Sequence, residues 1–271
     1  MILSDYHMHS HYSGDSKTPT IDMINKSIEL GLNNICFTEH YDPLFPCYKE
    51  EEKGMFDLDL DKYLSFANKC KADSNLQSNI NVNFGMELGI YPGIYDICRE
   101  ITSNNTFDFI ICSSHTAGKI DPYYPEYWNN YSTIEGATIY FEEILENINN
   151  FKEFDVYGHL DYCLRYTNST LEERMLQNYK DVIHEIFKVL IENSKGIEIN
   201  SGGKRSKKSK RKKEEMKEEI QQEKKEEKKE EKKEEKKKEE KKEERKSKRK
   251  KKVYQGNLVC LKWMEQKRID F

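Results

Sequence analysis

The sequence lacks the features that mark a membrane protein or a secreted one. No stretch of its 271 residues approaches the roughly 18 consecutive apolar residues of a membrane-spanning helix. The first residues, from Met1 to His7, are not a basic segment followed by a long apolar one, so they do not resemble a secretory signal. We therefore expect a cytoplasmic protein that does not enter a membrane.

Paired cysteine spacings and the common catalytic fingerprints are missing as well. The seven cysteines include no C-x-x-C pair and are scattered along the chain, at Cys36, Cys47, Cys70, Cys98, Cys112, Cys163 and Cys260. This distribution is typical of reduced thiols and not of a disulfide framework or a zinc ribbon. The sequence contains no P-loop, no G-x-S-x-G elbow and no G-x-G-x-x-G fingerprint, which argues against the enzyme classes that use them.

The charge is divided between two unlike parts of the chain. Residues 204–252 hold 27 Lys and Arg against 15 Asp and Glu, a net charge of +12, whereas the rest holds 18 against 34, a net charge of −16. The tract repeats Lys-Lys-Glu-Glu and has almost nothing apolar to bury, so we expect a solvated segment that is partly helical or disordered. We predict a folded domain over 1–203, this low-complexity tract, and a short tail over 253–271.

The two ends of the tract raise the question of a polyanionic partner. Lys204–Lys213 has 8 basic residues in 10 and Arg245–Lys252 has 7 in 8, and such blocks can bind nucleic acid by releasing counterions. The tract has no interleaved aromatic residues, however, and a body at −16 repels a polyanion. A solvated linker is therefore the favoured interpretation, and we do not expect nucleic acid as a partner.

Short apolar runs alternate with helical patterns through the first 203 residues. The candidate strands are Ile2–Ser4, Ile35–Thr38, Ile80–Phe84, Phe109–Cys112, Val156–Tyr157 and Ile197–Ile199. Helical spacing of apolar residues occupies Ile21–Ile28, Asp59–Cys70, Ile134–Ile148 and Leu171–Glu192. Strands separated by helices predict parallel βα units, and hence an α/β fold.

Nearly every candidate strand is followed by a histidine or a carboxylate. These residues are His7, His9, Asp15, His40, Glu87, His115 and His159. In a βα barrel the carboxyl ends of the strands meet on one face, and neutral imidazoles with carboxylates are ligands for zinc, manganese or iron. A single such histidine is usually an ordinary surface residue, but the repeated position predicts a site for two or three divalent metal ions. His11 stays open as a further candidate, whereas His184 lies within a helical pattern.

The motifs around these residues resemble those of the PHP superfamily, named for polymerases and histidinol phosphatases. The similar segments are Asp5–Ser10, Phe37–His40, Gly85–Gly89, Ser114–His115 and Tyr157–Asp161. The most similar branch is that of the histidinol phosphatases, and the resemblance covers residues 1–203. It implies a (βα)7 barrel with a trinuclear metal centre.

The resemblance also implies a role for each matching residue. His7 and His9 would bind one metal, and Glu87 would bridge it to a second metal completed by His115 and His159. Asp15 and His40 would bind the third. Arg165, which follows the fifth candidate strand, is a candidate for binding substrate phosphate, although a solvated arginine is an equally good interpretation.

The chain departs from the family pattern after its sixth candidate strand. Relatives carry a Gly-Ser-Asp-x-His motif after the seventh strand, which supplies two further ligands, and nothing in this sequence matches it. We therefore predict a PHP-type barrel that lacks its last strand, with a gap between the sixth strand and the first. We expect two metals or fewer per chain and a turnover lower by about a hundredfold or more than that of an intact relative.

The sequence thus predicts a hydrolase that acts on a small phosphorylated substrate. The first hypothesis is a metal-dependent phosphomonoesterase that converts L-histidinol phosphate to L-histidinol and phosphate in histidine biosynthesis. Two alternatives stay open. One is another PHP phosphoesterase acting on a nucleotide or sugar phosphate, and the other is a non-catalytic protein that binds metal or serves as a scaffold.

Overall fold

The computed structural model describes residues 3–46, 50–167 and 176–198. Within these ranges six parallel strands form one sheet in the order β1 to β6. Their bounds are Ser4–Met8 (β1), Asn34–Tyr41 (β2), Asn81–Gly89 (β3), Ile110–Ser113 (β4), Val156–Tyr157 (β5) and Gly196–Ile197 (β6). Each strand pairs with the next, and β1 does not pair with β6. The described residues therefore form a parallel half-barrel, as the sequence predicted.

Helices connect the strands and cover the sheet. They are Thr20–Glu29 (α1), Leu60–Ala72 (α2), Ser74–Asn79 (α3), Tyr95–Asn104 (α4), Pro125–Trp128 (α5), Thr133–Asn150 (α6) and Lys180–Glu192 (α7). Short 3₁₀ turns occupy Glu50–Glu52, Cys163–Arg165 and Leu176–Tyr179. The start of α6 is fixed by a capping box in which Ser132 and Glu135 bond each other's backbone N–H, an arrangement that satisfies two donors at a helix end.

The bounds of three strands and of the last helix differ from the sequence prediction. The first strand begins at Ser4 and runs to Met8, so His7 lies inside it and not after it. His40 and Glu87 likewise lie within β2 and β3. The reason is that polar site residues interrupt the apolar runs from which the strand ends were predicted. The last helix begins at Lys180 after a 3₁₀ turn, and the first part of its predicted range lies outside the described residues.

The core lies between the sheet and its helices in two apolar clusters. One joins β3, β4 and β5 to α4, α6 and α7, and the other joins β2 and β3 to α1 and α2. Tyr63 of α2 is fully buried and its hydroxyl lies 2.8 Å from the carbonyl of Phe37 and 2.9 Å from that of Gly85. This contact holds α2 against β2 and β3, the two strands that carry the centre of the site.

Several sequence predictions can be placed against the described residues. Cys36, Cys70, Cys98, Cys112 and Cys163 are buried free thiols, as expected for them. Among the helices in the described ranges, none is long and apolar enough to cross a membrane. The charged tract over 204–252, the tail over 253–271, Cys47 and Cys260 lie outside the described residues.

Candidate metal centre

Five imidazoles converge on one buried carboxylate at the carboxyl ends of the strands. Glu87 of β3 is fully buried. Its Oε2 atom lies 3.1 Å from His7 Nε2, 3.0 Å from His9 Nε2 and 3.3 Å from His40 Nδ1. Its Oε1 atom lies 3.3 Å from His115 Nε2 and 2.8 Å from His159 Nε2. The structure therefore brings together all six of these residues that the sequence had singled out.

The register of the sheet explains this convergence. His40 of β2 stands directly opposite Glu87 of β3, so the two side chains leave the sheet at the same level. His115 follows the end of β4 by two residues and His159 follows the end of β5 by two. The hydroxyl of Ser113 donates to Glu87 Oε1 at 2.8 Å. The polar side chains at the carboxyl ends of the parallel strands therefore meet at one place, as in other βα folds.

Three further carboxylates contact the far side of these imidazoles. Asp15 Oδ2 lies 3.2 Å from His9 Nδ1 and 3.8 Å from His40 Nε2. The sequence interpretation missed two further carboxylates, Asp42 and Glu198, which contact His115 and His7 in the same way. His115 Nδ1 donates to Asp42 Oδ1 at 3.0 Å, and His7 Nδ1 donates to Glu198 Oε1 at 2.8 Å. A carboxylate on one ring nitrogen fixes the tautomer, so that the other nitrogen keeps its lone pair for a metal.

The donor set fits metal cations better than it fits a hydrogen-bond network. Two carboxylate oxygens cannot accept from five imidazoles with good geometry, and His9 Nε2, His40 Nδ1 and Glu87 Oε2 are buried without a hydrogen-bond partner. Buried polar atoms in folded proteins are nearly always paired. Four groups of donors have their ligand atoms within 4.8 Å of one another: His7, His9 and Glu87; His9, Asp15 and His40; His40, Asp42 and His115; and Glu87, His115 and His159.

The electrostatics of the centre lead to the same conclusion. Burial raises the pKa of Glu87, but the surrounding imidazoles, His40 first, hold it well below its usual range. Burial lowers the pKa of His7, but Glu87 and Glu198 raise it to about 10. Without metal, protons therefore supply the positive charge that Glu87 requires. Neutral imidazole is the form that binds a metal ion, so metal binding releases these protons.

A buried carboxylate next to the centre holds the loop that carries His9 and Asp15. Glu39 is fully buried and accepts hydrogen bonds from the backbone and hydroxyl of Ser10 and from the hydroxyl of Ser13. The Ser13 hydroxyl also accepts from the backbone N–H of His40 at 2.9 Å. These bonds join the loop after β1 to β2, which sets the position of His9 relative to His40.

A second polar network holds the segment before His115. Asn147 of α6 is fully buried, and its side-chain amide donates to the Ser114 hydroxyl at 2.9 Å and to the Ile90 carbonyl at 3.2 Å. The Ser114 hydroxyl is also 2.6 Å from the hydroxyl of Tyr157. A fully satisfied buried network of this kind rigidifies its surroundings. It fixes the end of β4, from which His115 reaches Glu87.

One wall of the centre is aromatic and carries Arg165. The ring of Tyr162 packs against His115 and His159, with centroids 5.5 and 5.2 Å apart. The guanidinium carbon of Arg165 lies 5.9 Å from the centroid of the Tyr162 ring, and Arg165 Nη2 bonds Asp161 at 3.1 Å. Arg165 Nε is buried without a hydrogen-bond partner. The Arg165 side chain is therefore largely buried against Tyr162 and Asp161.

The two remaining histidines of uncertain role do not join the donor groups. His11 Nδ1 lies 3.3 Å from the Thr20 hydroxyl, and His184 lies within α7. Neither belongs to a metal-ligand group among the described residues. The helical interpretation of His184 is confirmed by its place in α7, whereas a role for His11 in the site stays a prediction.

Comparisons with known proteins agree with this geometry. Residues 5–202 match the PHP domain family. The chain is 32% identical over 199 residues to the histidinol-phosphatase of Lactococcus lactis, which covers 73% of this chain and 71% of that protein. It is 28% identical over 200 residues to the probable histidinol-phosphatase of Clostridium acetobutylicum, with 74% and 73% covered.

A solved structure is similar over the same region. The crystal structure of the histidinol phosphate phosphatase from Lactococcus lactis, complexed with zinc, L-histidinol and phosphate, superposes with a TM-score of 0.66 at 31% identity and covers 73% of each chain. The half-barrel, the buried donor set and the family match over most of the described residues agree on one conclusion. This chain belongs to the PHP family.

Proposed function

We propose that this chain is a metal-dependent phosphomonoesterase that hydrolyses L-histidinol phosphate to L-histidinol and phosphate. The observation that carries the proposal is the convergence of five imidazoles on Glu87, with carboxylates behind three of them. The similarity to a histidinol phosphate phosphatase whose crystal structure holds zinc, L-histidinol and phosphate supports the choice of substrate. The proposed setting is histidine biosynthesis in the cytoplasm.

We assign the metal ligands from the donor groups. His7 and His9 would hold one ion with Glu87, and Glu87 would share a second ion with His115 and His159. Asp15 and His40 would hold a third, with His9 also within reach. Asp42 is better placed as the carboxylate that orients His115, because its Oδ1 lies 3.0 Å from the ring nitrogen that faces away from Glu87. The ions are zinc, manganese or iron, the metals that this mixture of nitrogen and oxygen donors accepts.

The proposed reaction needs two contributions from the site. Divalent ions, when bound, make water a nucleophile near neutral pH and neutralise negative charge on the phosphoryl oxygens. The protein holds the donors rigidly, through the backbone pairing of β2 with β3 and the networks at Glu39 and Asn147. Arg165 would bind a phosphate oxygen, since a guanidinium forms strong charged hydrogen bonds with phosphate.

We further propose that the activity of this chain is low. The given sequence contains no Gly-Ser-Asp-x-His segment, the segment whose aspartate and histidine complete two of the metal sites according to the family resemblance. We expect two ions or fewer per chain. Loss of even indirect support for a metal commonly costs about 10–100-fold in affinity or activity, so the turnover should lie at least that far below that of an intact relative.

A panel of phosphomonoesters tests the substrate. Phosphate release is measured from L-histidinol phosphate, a nucleoside monophosphate and a sugar phosphate, each with added zinc or manganese. The proposal expects the highest kcat/KM for L-histidinol phosphate. A higher value for one of the other two esters would favour a different PHP phosphoesterase. Metal binding without any phosphate release would favour the non-catalytic alternative.

A further inference from the structure

Glu39 of β2 is a fully buried carboxylate that belongs to none of the donor groups among the described residues. The backbone N–H of Ser10 donates to it at 2.9 Å, and the hydroxyls of Ser10 and Ser13 donate to it as well. These hydrogen-bond donors are all neutral. Burial of a charge costs free energy even when neutral groups compensate it, so the stability of the fold alone does not favour a carboxylate at this position.

The protons in this network can point in only one way. The Ser13 hydroxyl accepts from the backbone N–H of His40 at 2.9 Å, so its own proton lies on the side of Glu39. The Ser10 hydroxyl accepts from Thr20 Oγ1 at 2.9 Å, and its proton likewise points to Glu39. An ionised carboxylate accepts all of these protons and offers none. A glutamine would turn an amide N–H towards one of these donors, so only the charged side chain completes the network.

The network lies next to His9. Two of the donor groups share this residue, and their other members are His7, Asp15, His40 and Glu87. Ser10 directly follows His9 along the chain, and Glu39 directly precedes His40. The imidazole rings of His9 and His40 are 4.2 Å apart between centroids, so even a small shift of the loop after β1 changes where their nitrogen atoms meet. The hydrogen bonds of Glu39 prevent that shift.

The donor group on the other side of Glu87 is held by different bonds. This is the His159 group, which consists of Glu87, His115 and His159. The Ser113 hydroxyl donates to Glu87 at 2.8 Å. The Asn147 amide donates at 2.9 Å to the hydroxyl of Ser114, which directly precedes His115. These bonds involve no member of the first network, so the two donor regions are supported separately.

We propose that Glu39 is a positioning residue for metal binding through His9. It does not touch the metal, but it holds the loop after β1 against β2 so that His9 offers its nitrogen atoms at one geometry. Thr20 supports the same network from the start of α1. Metal binding at the His159 group does not depend on Glu39. This inference rests on the metal assignment of the proposed function and not on its substrate.

Zinc titration of the full chain against a competing chelator measures the affinity of each bound ion. Glu39→Gln keeps the size of the side chain and removes its charge. Loss of indirect support for a ligand weakens metal binding by about 10–100-fold, and we expect this loss for the ion bound through His9. The ion at the His159 group should change by less than about threefold, because its support is separate.

Thr20 provides a matched pair of variants. Its side chain is buried, and Thr20→Val keeps its shape while removing the hydroxyl that donates to Ser10. A neutral hydrogen bond changes an equilibrium constant by about two- to tenfold, so Thr20→Val should weaken the ion bound through His9 by that factor. Thr20→Ser keeps the hydroxyl and should bind the ion within about twofold of wild type. A residue that only fills space would show the opposite order, because valine fills the space of threonine better than serine does.

A double substitution identifies the ligand through which Glu39 acts. Once His9→Gln has removed that ligand, adding Glu39→Gln should weaken the remaining ion by less than about threefold. In His159→Gln the same addition should have its full effect of about 10–100-fold. A general loss of structure would instead weaken both backgrounds alike. Ser114→Ala is the reciprocal control, and it should weaken the ion at the His159 group without weakening the ion bound through His9.

The proposal is overturned if Glu39→Gln binds each ion as the wild type does, if it weakens all ions equally, or if its effect persists in full in His9→Gln. A Glu39→Gln protein that does not fold leaves the decision to the Thr20 pair. Equal titrations of Thr20→Val and Thr20→Ser would then overturn the proposal.

Phosphate release from L-histidinol phosphate separates this proposal from the proposed function. If the wild type releases phosphate but its zinc titration does not depend on Glu39, the positioning role falls and the function stands. If Glu39→Gln selectively loses the ion bound through His9 but the wild type releases no phosphate, the positioning role stands and the function falls. A wild type that binds no zinc would contradict both.

Discussion

The middle of the sheet, β2 and β3, and its last two strands, β5 and β6, hold the metal donors in different ways. β2 and β3 pair along their whole length, from Asn34 opposite Asn81 to Tyr41 opposite Leu88. β5 and β6 pair at only two positions, and both residues of β6 are exposed. His40 and Glu87 are therefore fixed by a continuous backbone ladder, whereas β5, which leads to His159, has little backbone support from β6.

Among the described residues β1 and β6 do not pair, and a side chain links them instead. Glu198, just after β6, accepts from His7 Nδ1 of β1 at 2.8 Å and from the backbone N–H of His159 at 2.9 Å. It thereby joins the first strand to the last two without a hydrogen bond between β1 and β6. The centre therefore has two sides. The first side, His40 and Glu87, is held by the pairing of β2 with β3. The second side, His7 and His159, depends on the half-buried carboxylate of Glu198.

The largest expected effect comes from the first side. Glu87→Gln removes the charge that five imidazoles share, so at least two metal sites lose their common ligand. We expect the metal affinity and kcat/KM to fall by more than about 100-fold, beyond the 10–100-fold typical of indirect ligand support. Metal content after equilibrium dialysis and phosphate release from L-histidinol phosphate measure these losses.

Glu143→Gln is the control for that change. Glu143 is a half-buried carboxylate of α6 that accepts from the backbone N–H of Gly118 at 2.7 Å and does not contact the donors. It should leave the metal content near that of wild type. A Glu87→Gln protein with the wild-type metal content would contradict the assignment of Glu87 as the shared ligand.

The second-largest effects are expected at two histidine–carboxylate pairs, His115 with Asp42 and His7 with Glu198. Asp42→Asn removes the carboxylate behind His115, and Glu198→Gln removes the one behind His7. Each should weaken metal binding by about 10–100-fold. Asp42→Asn should have the larger effect, because the Asp42 side chain is 3% exposed and that of Glu198 is 17% exposed, and screening by water weakens the more exposed pair.

Zinc titration against a competing chelator measures both affinities under the same conditions. Glu198→Asp tests whether the length of the carboxylate side chain matters for the contact with His7. A larger loss in Glu198→Gln than in Asp42→Asn would reverse this order, and it would show that the centre depends more on the carboxylate between β1 and β6 than on the one behind His115.

The stability of the metal-stripped protein should decrease as the pH rises above neutrality. Burial lowers the pKa values of His7 and His9, but their carboxylate partners raise them to about 10 and about 9. The folded-state pKa values lie above the ordinary value of 6.5, so the stabilisation is complete below about pH 6.5 and is lost as the pH rises towards about 10. Thermal melts of stripped protein should show a decreasing Tm over this range.

Metal loading should abolish that decrease. Bound ions require neutral imidazoles, so His7 and His9 no longer contribute a proton to the stability of the fold. Melts of the zinc-loaded protein over the same pH range provide the comparison. An equal decrease in Tm with and without zinc would mean that the imidazoles do not exchange protons for metal.

The smallest expected effect concerns Ser13, in the loop that follows β1. Ser13→Ala removes the hydroxyl that donates to Glu39 and accepts from the backbone N–H of His40. An unsatisfied buried donor costs about 1–3 kcal/mol, and we expect the free energy of unfolding to decrease by that amount. Ser103→Ala on the exposed side of α4 should change it by less than about 0.5 kcal/mol. Urea denaturation measures both variants, and equal effects would contradict the role of Ser13.

The sequence predicted which residues meet at the carboxyl ends of the strands better than it predicted where each strand begins and ends. The repeated position of a histidine or carboxylate after each apolar run identified His40, Glu87, His115 and His159, because in parallel units those ends meet on one face. The bounds of β1 were wrong, since Asp5 and His7 are polar residues within the strand. A strand that carries polar binding residues on one face cannot be detected from the pattern of apolar residues alone.

Two of the supporting carboxylates, Asp42 and Glu198, were missed although both carry a signal. Asp42 follows His40 by two positions, which on an extended segment places both side chains on the same side. Glu198 is a carboxylate between Ile197 and Ile199 in the otherwise apolar segment that was predicted as the sixth strand.

The central claim is that metal ions held around Glu87 drive the hydrolysis of L-histidinol phosphate, and its most direct test is phosphate release during removal and restoration of metal. The purified full chain is assayed as isolated, after exhaustive chelation, and after stepwise addition of zinc or manganese, with the ions bound per chain counted at each step. The account predicts that release is lost on chelation and returns in proportion to the ions bound, up to two per chain. Release that persists in the metal-free protein, or its absence at every metal content, would contradict the account.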